Sequence, residues 1–285
     1  MFSILVSGLA ATVTLAQAQT TDAEVMAAFR EVFPLVLQGD WEAAEPVAEA
    51  ALPLATAPMN RYRIRHILTD THARLGKWED AATYAREAAE TIYNDEALSQ
   101  RLMLMASHMA AEEARAAYML GDMERVAEAN GRMISDHPDA GPGWTASGVT
   151  GAAHTAGLDC ELMRDGYLRF DVWGGDEGLP ACDYWALSDI GLRLTQGPAT
   201  AAEIARLSER RTDAAPRELA WDEAPEGVRL TAYNLGTPAP GKEDEYAVIL
   251  EGVDAGWTVT VRYPASQQAE ALSALSGFYI AGPQG

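Results

Sequence analysis

Apolar side chains recur every three or four positions from Asp22 to about Pro138, the spacing that places them on one face of an α-helix. This spacing is seen at Phe29, Phe33, Leu37, Ile64, Ile67, Leu68, Leu75, Leu102, Met105 and Met109. The segment is rich in Ala, Leu, Met, Glu and Arg, which favour helices, and has almost no Gly between turns. The pattern predicts a series of helices and argues against strands in this part of the chain.

Three similar stretches follow Gly39, Gly76 and Gly121. In each, the glycine can end one helix in the left-handed conformation, and a large apolar residue two positions later begins the next helix. These three residues are Trp41, Trp78 and Met123. Three positions further on, a smaller residue allows close helix packing, at Ala44, Ala81 and Val126. Seven positions after that, a second small residue follows at Ala51 and Ala88, but the third copy has Met133 there. The interval from Gly76 to Gly121 is 45 residues, against 37 from Gly39 to Gly76. The extra length predicts a long helix over about Asp95–Leu120.

This internal repeat resembles the tetratricopeptide repeat (TPR), a helix-turn-helix unit of about 34 residues. The resemblance covers about residues 24–138 in three units, and Pro138 stands where the family has its closing proline. Two features depart from the family. Pro34 and Pro46 fall inside the presumed helices of the first unit, and the expected aromatic residue is replaced by Ala48, Ala85 and Asn130. The alternative is an unrelated helical bundle with similar turns.

The TPR resemblance implies a scaffold whose first helices line a groove that binds peptide segments of partner proteins. Carried over to this chain, the groove residues are Arg63, His66, Asp70 and Arg74 from the second unit, and His108, Arg115 and Tyr118 from the third. Spacings of three and four place the first four on one helix face. Such a face suits a carboxylate or an acidic peptide. The alternative is a solvated face with i,i+4 pairs such as Asp70–Arg74.

The region after Pro138 is predicted to add helices that cap the repeats, as terminal repeats require. Candidate helices cover Trp144–Gly157, Asp183–Leu194 and Thr200–Arg211, the last with Thr200 as N-cap and Glu203 three residues later. The resulting helical domain extends over residues 19–211.

A different pattern follows a Pro- and acid-rich linker at residues 212–227. Apolar residues alternate with period two in three segments, at Val228–Ala232, Tyr246–Leu250 and Trp257–Tyr263, and a short helix is predicted over Ser266–Phe278. The predicted fold class is therefore mainly α. It comprises TPR-like repeats of the right-handed α-solenoid type, followed by a small α+β module with an antiparallel sheet at residues 228–285.

The first 18 residues have the pattern of a signal peptide. Phe2–Leu15 carries no charge, and Ala16-Gln17-Ala18 matches a small-residue cleavage site, with cleavage between Ala18 and Gln19. Fourteen apolar residues are too few to cross a bilayer. No Lys or Arg precedes Arg30, which departs from the usual pattern. The prediction is a periplasmic or secreted protein, and the alternative is a buried first helix.

Cys160 and Cys182 are the two cysteines of the chain. In an oxidising compartment an isolated pair is expected to form a disulfide, worth roughly 3.4 kcal/mol in the chain-entropy estimate. Free thiols are the alternative. A redox role is disfavoured because the chain has no C-x-x-C motif.

Charge excludes two classes of partner. The chain has 42 Asp plus Glu against 21 Lys plus Arg, a formal net charge of −21. Non-specific binding to nucleic acid or to anionic lipid requires a basic surface. We therefore expect neither.

The chain contains no zinc-protease, phosphate-loop, nucleophile-elbow or EF-hand motif. His66, Asp70 and His72 fail as a metal site because His72 falls on the opposite side of the helix from His66. We therefore expect no catalytic residue, metal or cofactor. The predicted function is an exported, non-enzymatic scaffold that binds a protein or peptide in the cell envelope.

Two further functions remain open. The first is a glycan-binding or hydrolytic protein with an acidic, tryptophan-lined cleft near Trp173, Asp176, Asp183 and Trp185. The second is a purely structural accessory subunit.

Overall fold

A computed structural model describes residues 23–174, 179–185, 190–197, 216–218, 228–236, 244–252 and 257–281. The predicted signal peptide, its cleavage site at Ala18 and Gln19, and the predicted helix Thr200–Arg211 lie outside these residues. The chain divides into two compact units, Met1–Ala129 and Asn130–Gly285.

The first unit is helical. Its helices are α1 (residues 23–38), α2 (Trp41–Ala51), α3 (Pro58–Arg74), α4 (Trp78–Tyr93), α5 (Glu96–Leu120) and α6 (Met123–Ser135), and the division between the units falls within α6. A 3-10 turn at Leu52–Leu54 follows α2. The long helix predicted from the repeat spacing is α5, whose N-cap Asp95 accepts a hydrogen bond from the Leu98 backbone N–H at 3.0 Å. No helix among the described residues is long and apolar enough to cross a membrane.

The predicted glycine turns are confirmed. Gly39, Gly76 and Gly121 have φ values of 74°, 72° and 75°, the left-handed region that a side chain disfavours. In each turn the backbone N–H of the next residue donates to the carbonyl five residues earlier, at 2.9, 2.8 and 3.0 Å. These bonds satisfy carbonyls that the helix end leaves open, as in the Schellman motif. The helices that follow begin at Trp41, Trp78 and Met123, as predicted.

Small buried residues allow the helices to pack closely. Ala44, Ala81 and Val126, predicted from the repeat, are at most 1% exposed. One side of α4 is almost entirely alanine, with buried residues Ala81, Ala82, Ala85, Ala88 and Ala89. The absence of bulk at these positions lets neighbouring backbones approach.

A buried carboxylate connects three helices of this unit. Glu113 of α5 has no exposed side-chain surface and accepts from Arg86 Nε of α4 at 2.7 Å and from Arg125 Nε of α6 at 3.0 Å. A buried charge is tolerated when it is paired and hydrogen-bonded in this way.

The second unit is built on antiparallel strands. A three-stranded sheet contains β1 (Trp144–Ser147), β2 (Gly151–His154) and β3 (Asp159–Glu161), in that order. An eight-stranded sheet has the order β4-β5-β6-β7-β11-β10-β9-β8. Its strands are β4 (Met163–Arg164), β5 (Tyr167–Trp173), β6 (Ala181–Trp185), β7 (Gly191–Gln196), β8 (Arg217–Glu218), β9 (Val228–Gly236), β10 (Glu245–Gly252) and β11 (Trp257–Pro264). Helix α7 (Gln268–Ala281) follows β11.

A helical region followed by an antiparallel sheet is confirmed, but the helices predicted after Pro138 are wrong where the structure describes them. Trp144–Gly157 forms β1 and β2, and Asp183–Leu194 contributes to β6 and β7. The physical reason is strand length. These strands have four to six residues, too short for a period-two pattern to stand out from helical spacing.

The predicted boundaries change with these strands. The C-terminal hairpin exists, since β10 pairs with β11, but β11 also pairs with β7, so residues 228–285 do not form a separate module. Within the predicted linker, Arg217–Glu218 pairs with β9 as an edge strand.

The two sheets of the second unit are joined covalently. The predicted disulfide Cys160–Cys182 is present and connects β3 of the small sheet to β6 of the large one. Near it, Arg169 is fully buried and donates to the carbonyls of Cys160 and Thr150 and to Asn130 Oδ1. Burial lowers the pKa of Arg169 to about 10, because a buried charge loses its hydration.

Helix α7 packs on one face of the large sheet. Its Phe278 makes edge-on contacts with Tyr184 and Tyr167, at centroid distances of 4.9 and 6.0 Å. Arg164 lies over the Phe278 ring and donates to its backbone carbonyl at 3.2 Å. The opposite face of the same strands is therefore the one left to form a pocket.

Candidate functional site

The α3 residues predicted for the groove form a stripe along one side of that helix. Arg63, His66 and Arg74 are exposed and Asp70 is half-buried. Arg74 Nε lies 3.3 Å from Asp70 Oδ1, and its guanidinium lies 4.8 Å from the centroid of the Trp41 ring. The cation–π contact and the ion pair hold Arg74 in place while part of it remains accessible.

The α5 residues are more deeply placed. Arg115 is 6% exposed and forms an ion pair with Glu112, one turn earlier. Its Nε is buried and has no hydrogen-bond partner among the described residues. His108 is half-buried, and Tyr118 is 41% exposed. A guanidinium N–H without a partner can still donate a hydrogen bond to a carboxylate oxygen.

The α3 and α5 stripes lie within electrostatic reach of each other. Burial raises the pKa of Glu112, Asp70 raises it further, and Arg115, His108 and Arg74 oppose the rise. Part of His66 reaches solvent, but the atoms packed around its imidazole lower its pKa, with His108 adding to this effect and Asp70 opposing it. We call this surface the α3–α5 face; it comprises Arg63, His66, Asp70, Arg74, His108, Glu112, Arg115 and Tyr118.

Glu112 is the member of this face that sequence reasoning missed. It lies four residues after His108 and three before Arg115, a spacing that places it between them on one side of a helix. That signal was visible in the sequence. The charges of the face are three Arg against two acids.

Next to these residues, the end of α5 exposes apolar side chains. Met119 and Leu120 are 50% and 44% exposed, and Met123 at the start of α6 is 41% exposed. Together with Tyr118 they form a run of exposed apolar residues in an otherwise acidic chain. Exposed apolar patches of this kind often mark contact surfaces.

A pocket of about 280 Å³ lies on the large sheet of the second unit. Its lining residues are Phe170, Asp171, Asp183, Tyr184, Trp185, Gly191, Leu192, Arg193, Glu245, Thr260 and Arg262. The register of the sheet places Asp183, Arg193 and Thr260 side by side across β6, β7 and β11, and Trp185, Gly191 and Arg262 in the next row. This size suits a small polar molecule.

Gly191 makes room for the aromatic wall of this pocket. A Cβ at Gly191 would lie 3.0 Å from Trp185 Cζ3, closer than ordinary contact, so the glycine lets the indole lie against the strand. Trp185 is 51% exposed and offers an open ring face.

Two of the four residues predicted for a tryptophan-lined cleft, Asp183 and Trp185, line the pocket, and Trp173 contacts Asp183 without lining it. Trp173 Nε1 donates to Asp183 Oδ2 at 2.8 Å, and Trp185 is on the same strand as Asp183. Asp176 lies outside the described residues. Arg193 donates to both Asp183 oxygens at 2.6 Å, and its guanidinium lies 5.5 Å from the centroid of the Trp173 ring.

The carboxylates of the pocket are engaged in ion pairs or hydrogen bonds. Asp183 pairs with Arg193, Glu245 pairs with Arg262 at 2.5 Å, and Asp171 lies 2.9 Å from His137 Nε2. The Asp139 backbone N–H donates to His137 Nδ1, so Nε2 carries the proton that Asp171 accepts. Glycoside hydrolysis needs one carboxyl as acid and another as base or nucleophile. Carboxylates that already have partners in the protein fit ligand binding better than acid–base catalysis.

No protein-family model matches the chain, and no curated protein matches it. Among solved structures, the crystal structure of BtubC (BKLC) from P. vanneervenii is similar at 16% sequence identity, covering 42% of this chain and 56% of that one, with a TM-score of 0.31. The chain thus spans little more than half of that protein, and a TM-score of this size carries no argument about fold or function.

Proposed function

We propose that this chain is an exported, non-enzymatic scaffold with TPR-like repeats, and that it binds an acidic peptide or protein segment on the α3–α5 face. The observation that carries the proposal is the gathering of Arg74, His108 and Arg115 around one surface, with a buried Arg115 Nε that has no hydrogen-bond partner among the described residues. Each residue also belongs to the set expected from the TPR resemblance.

Charge supports an acidic partner. The whole chain carries −21, so acidic molecules are repelled in general, and a local cationic surface then selects where they bind. Carboxylates bound by guanidinium groups form charge-assisted hydrogen bonds, which are about twice as strong as neutral ones. Tyr118 and the apolar residues after it would add contact area beside the charged groups.

The repeated turns support the TPR-like part of the proposal. The three glycine turns share the same left-handed φ and the same hydrogen bond, and each precedes a helix that begins with a large apolar residue. In the TPR family this arrangement presents the first helix of each unit to a ligand. Here those helices include α3 and α5.

The location in the periplasm or cell envelope is proposed from the signal-like segment and the bridged cysteines. Disulfides form and persist in oxidising compartments and are rare in the cytosol.

Charge reversal on the α3–α5 face tests the binding function. The chain is used to capture proteins from envelope extract, and the double variant Arg63→Glu/Arg74→Glu is compared with the control Arg30→Glu/Arg61→Glu. The control residues are exposed arginines of α1 and α3 outside the face, and the change in net charge is identical. We expect the face variant to lose partners that the control retains. Identical partner sets would refute the proposal.

A second candidate function is small-sugar binding in the pocket of the second unit. The half-exposed Trp185 and the adjoining ion pairs are the features that favour it, since aromatic faces and polar planar groups suit sugars. A panel of monosaccharides, followed by tryptophan fluorescence and saturation-transfer NMR, tests it. A signal that disappears in Trp185→Ala supports this function, and no signal with any sugar refutes it.

A further inference from the structure

His72 lies on the side of α3 opposite the α3–α5 face, and its side chain is 3% exposed. Its Nε2 is 2.9 Å from Glu45 Oε1 and 3.8 Å from Glu49 Oε1. Glu45 and Glu49 are one turn apart on α2, so two carboxylates of one helix converge on one imidazole of the next.

The imidazole is held by packing and not by hydrogen bonds. Neither ring nitrogen of His72 has a hydrogen bond to any described residue, although Nε2 is close to Glu45. The Tyr84 ring meets the imidazole edge-on at a centroid distance of 5.2 Å, and Asp80 Oδ2 is 3.9 Å from Nδ1. The His72 Nε2 faces two carboxylates without a hydrogen bond to either. Its lone pair is therefore available to bind another group.

The spacing of these atoms matches a metal site. The three ligand atoms, one each from Glu45, Glu49 and His72, lie within 4.8 Å of one another. With Zn–N and Zn–O bonds of about 2.0–2.2 Å, neighbouring ligand atoms of a tetrahedral site are about 3.4 Å apart. The observed separations of 2.9 and 3.8 Å from His72 fall on either side of this value.

The charge around His72 attracts cations. Three carboxylates, those of Glu45, Glu49 and Asp80, are near one lysine, Lys77, which contacts Glu45. Three carboxylates against one ammonium leave a net negative charge around His72. The Lys77 side chain is 45% exposed and can leave Glu45 without disturbing the core.

We propose that Glu45, Glu49 and His72 form a Zn²⁺ site with an open fourth position, and that Lys77 competes with the metal for Glu45. An imidazole with carboxylates is a ligand set that suits zinc better than Mg²⁺ or Ca²⁺, which prefer oxygen ligands alone. The ion connects α2 to α3, so its binding stabilises the first unit.

Calorimetric titration of the untagged, full-length chain with Zn²⁺ alone tests this site. The isosteric variant Glu49→Gln is the main probe, because the Glu49 side chain is 50% exposed and its loss does not threaten folding. His72→Gln is the second probe. His66→Gln is the control, since it removes an exposed imidazole from the other side of the same helix.

We expect one Zn²⁺ site whose affinity falls at least about tenfold in Glu49→Gln and in His72→Gln and is unchanged in His66→Gln. The ¹H–¹⁵N signals of the His72 imidazole should shift as zinc is added, and Mg²⁺ should leave them in place. Lys77→Met should tighten zinc binding, because the competing ammonium is gone.

Two results would overturn the proposal. Equal zinc affinity in the wild type and Glu49→Gln would remove the site, and equal affinity in the wild type and Lys77→Met would remove the role of Lys77 as competitor.

Discussion

The buried carboxylate Glu113 offers the sharpest test of how the first unit is held together. It accepts from Arg86 and Arg125 and has no exposed side-chain surface. Glu113→Gln preserves the shape of the side chain but removes the charge, leaving two guanidinium groups around a neutral amide. Helices α4, α5 and α6 then lose their shared ionic contact.

The expected loss of unfolding free energy is about 3 kcal/mol. Removing one partner of a buried pair typically costs about 3–5 kcal/mol. The lower value applies here because Arg86 and Arg125 are 36% and 14% exposed. Both also have second acceptors, since Arg86 lies 3.2 Å from Glu128 and Arg125 lies 3.5 Å from Glu79.

Urea unfolding at pH 7, followed by far-UV circular dichroism at 222 nm, measures this loss because the helices of the first unit dominate the signal. The control is Glu31→Gln on α1, an exposed glutamate whose substitution should change stability by less than about 0.5 kcal/mol. A double-mutant cycle with Arg125→Met should show a coupling of at least about 1 kcal/mol. A loss below about 1 kcal/mol, or full additivity in the cycle, would refute the reasoning.

Three further predictions concern the disulfide and buried side chains of both units. Cys160→Ser/Cys182→Ser should lower the stability of the sheet region by roughly 3 kcal/mol, measured by near-UV circular dichroism during urea unfolding, and an unchanged midpoint would contradict this. Arg169→Lys should destabilise by about 2 kcal/mol in the same assay, because a lysine cannot reach all three acceptors of the guanidinium, and wild-type stability would count against that role. Burial raises the pKa of Tyr62, Tyr167 and Tyr184 to about 12, so the folded state retains protons that the unfolded chain releases above pH 10. Stability should therefore fall between about pH 10 and pH 12, with a smaller fall in Tyr184→Phe, and titration of every tyrosine near pH 10 at 295 nm would contradict the burial.

The sequence predicted the helical unit well because its signals are local. Gly39, Gly76 and Gly121 require a left-handed backbone, and the large residue two positions later marks the next helix start. Helix α5 was predicted from the long interval between Gly76 and Gly121, and it ends at Leu120, directly before Gly121. Local geometry of this kind depends on residues that are neighbours in the chain, so it can be read from the sequence.

The sheet unit was predicted poorly because its signals are long-range. Strands β6 and β7 have five and six residues, and their partners lie in distant parts of the chain, as in the pairing of β7 with β11. Nothing near Leu192 or Leu194 in the sequence indicates that pairing. The disulfide was the exception, because two cysteines leave one possible bridge.

The candidate sites show the same contrast between local and long-range signals. The α3 stripe follows from helical spacing, and the missing residue, Glu112, was available from the same spacing on α5. In contrast, the convergence of Glu45 and Glu49 on His72 depends on how α2 packs on α3, which spacing along one helix cannot give.

Site-specific photocrosslinking tests the central claim, partner binding on the α3–α5 face, most directly. A photoreactive phenylalanine analogue replaces Arg63 in one strain and Arg61 in another, and cells are irradiated before the chain is recovered. Both residues are exposed on α3, but they point in directions about 160° apart around the helix axis. We predict a crosslinked acidic partner from position 63 that is absent from position 61. No adduct at position 63, or the same adducts from both positions, would contradict the account.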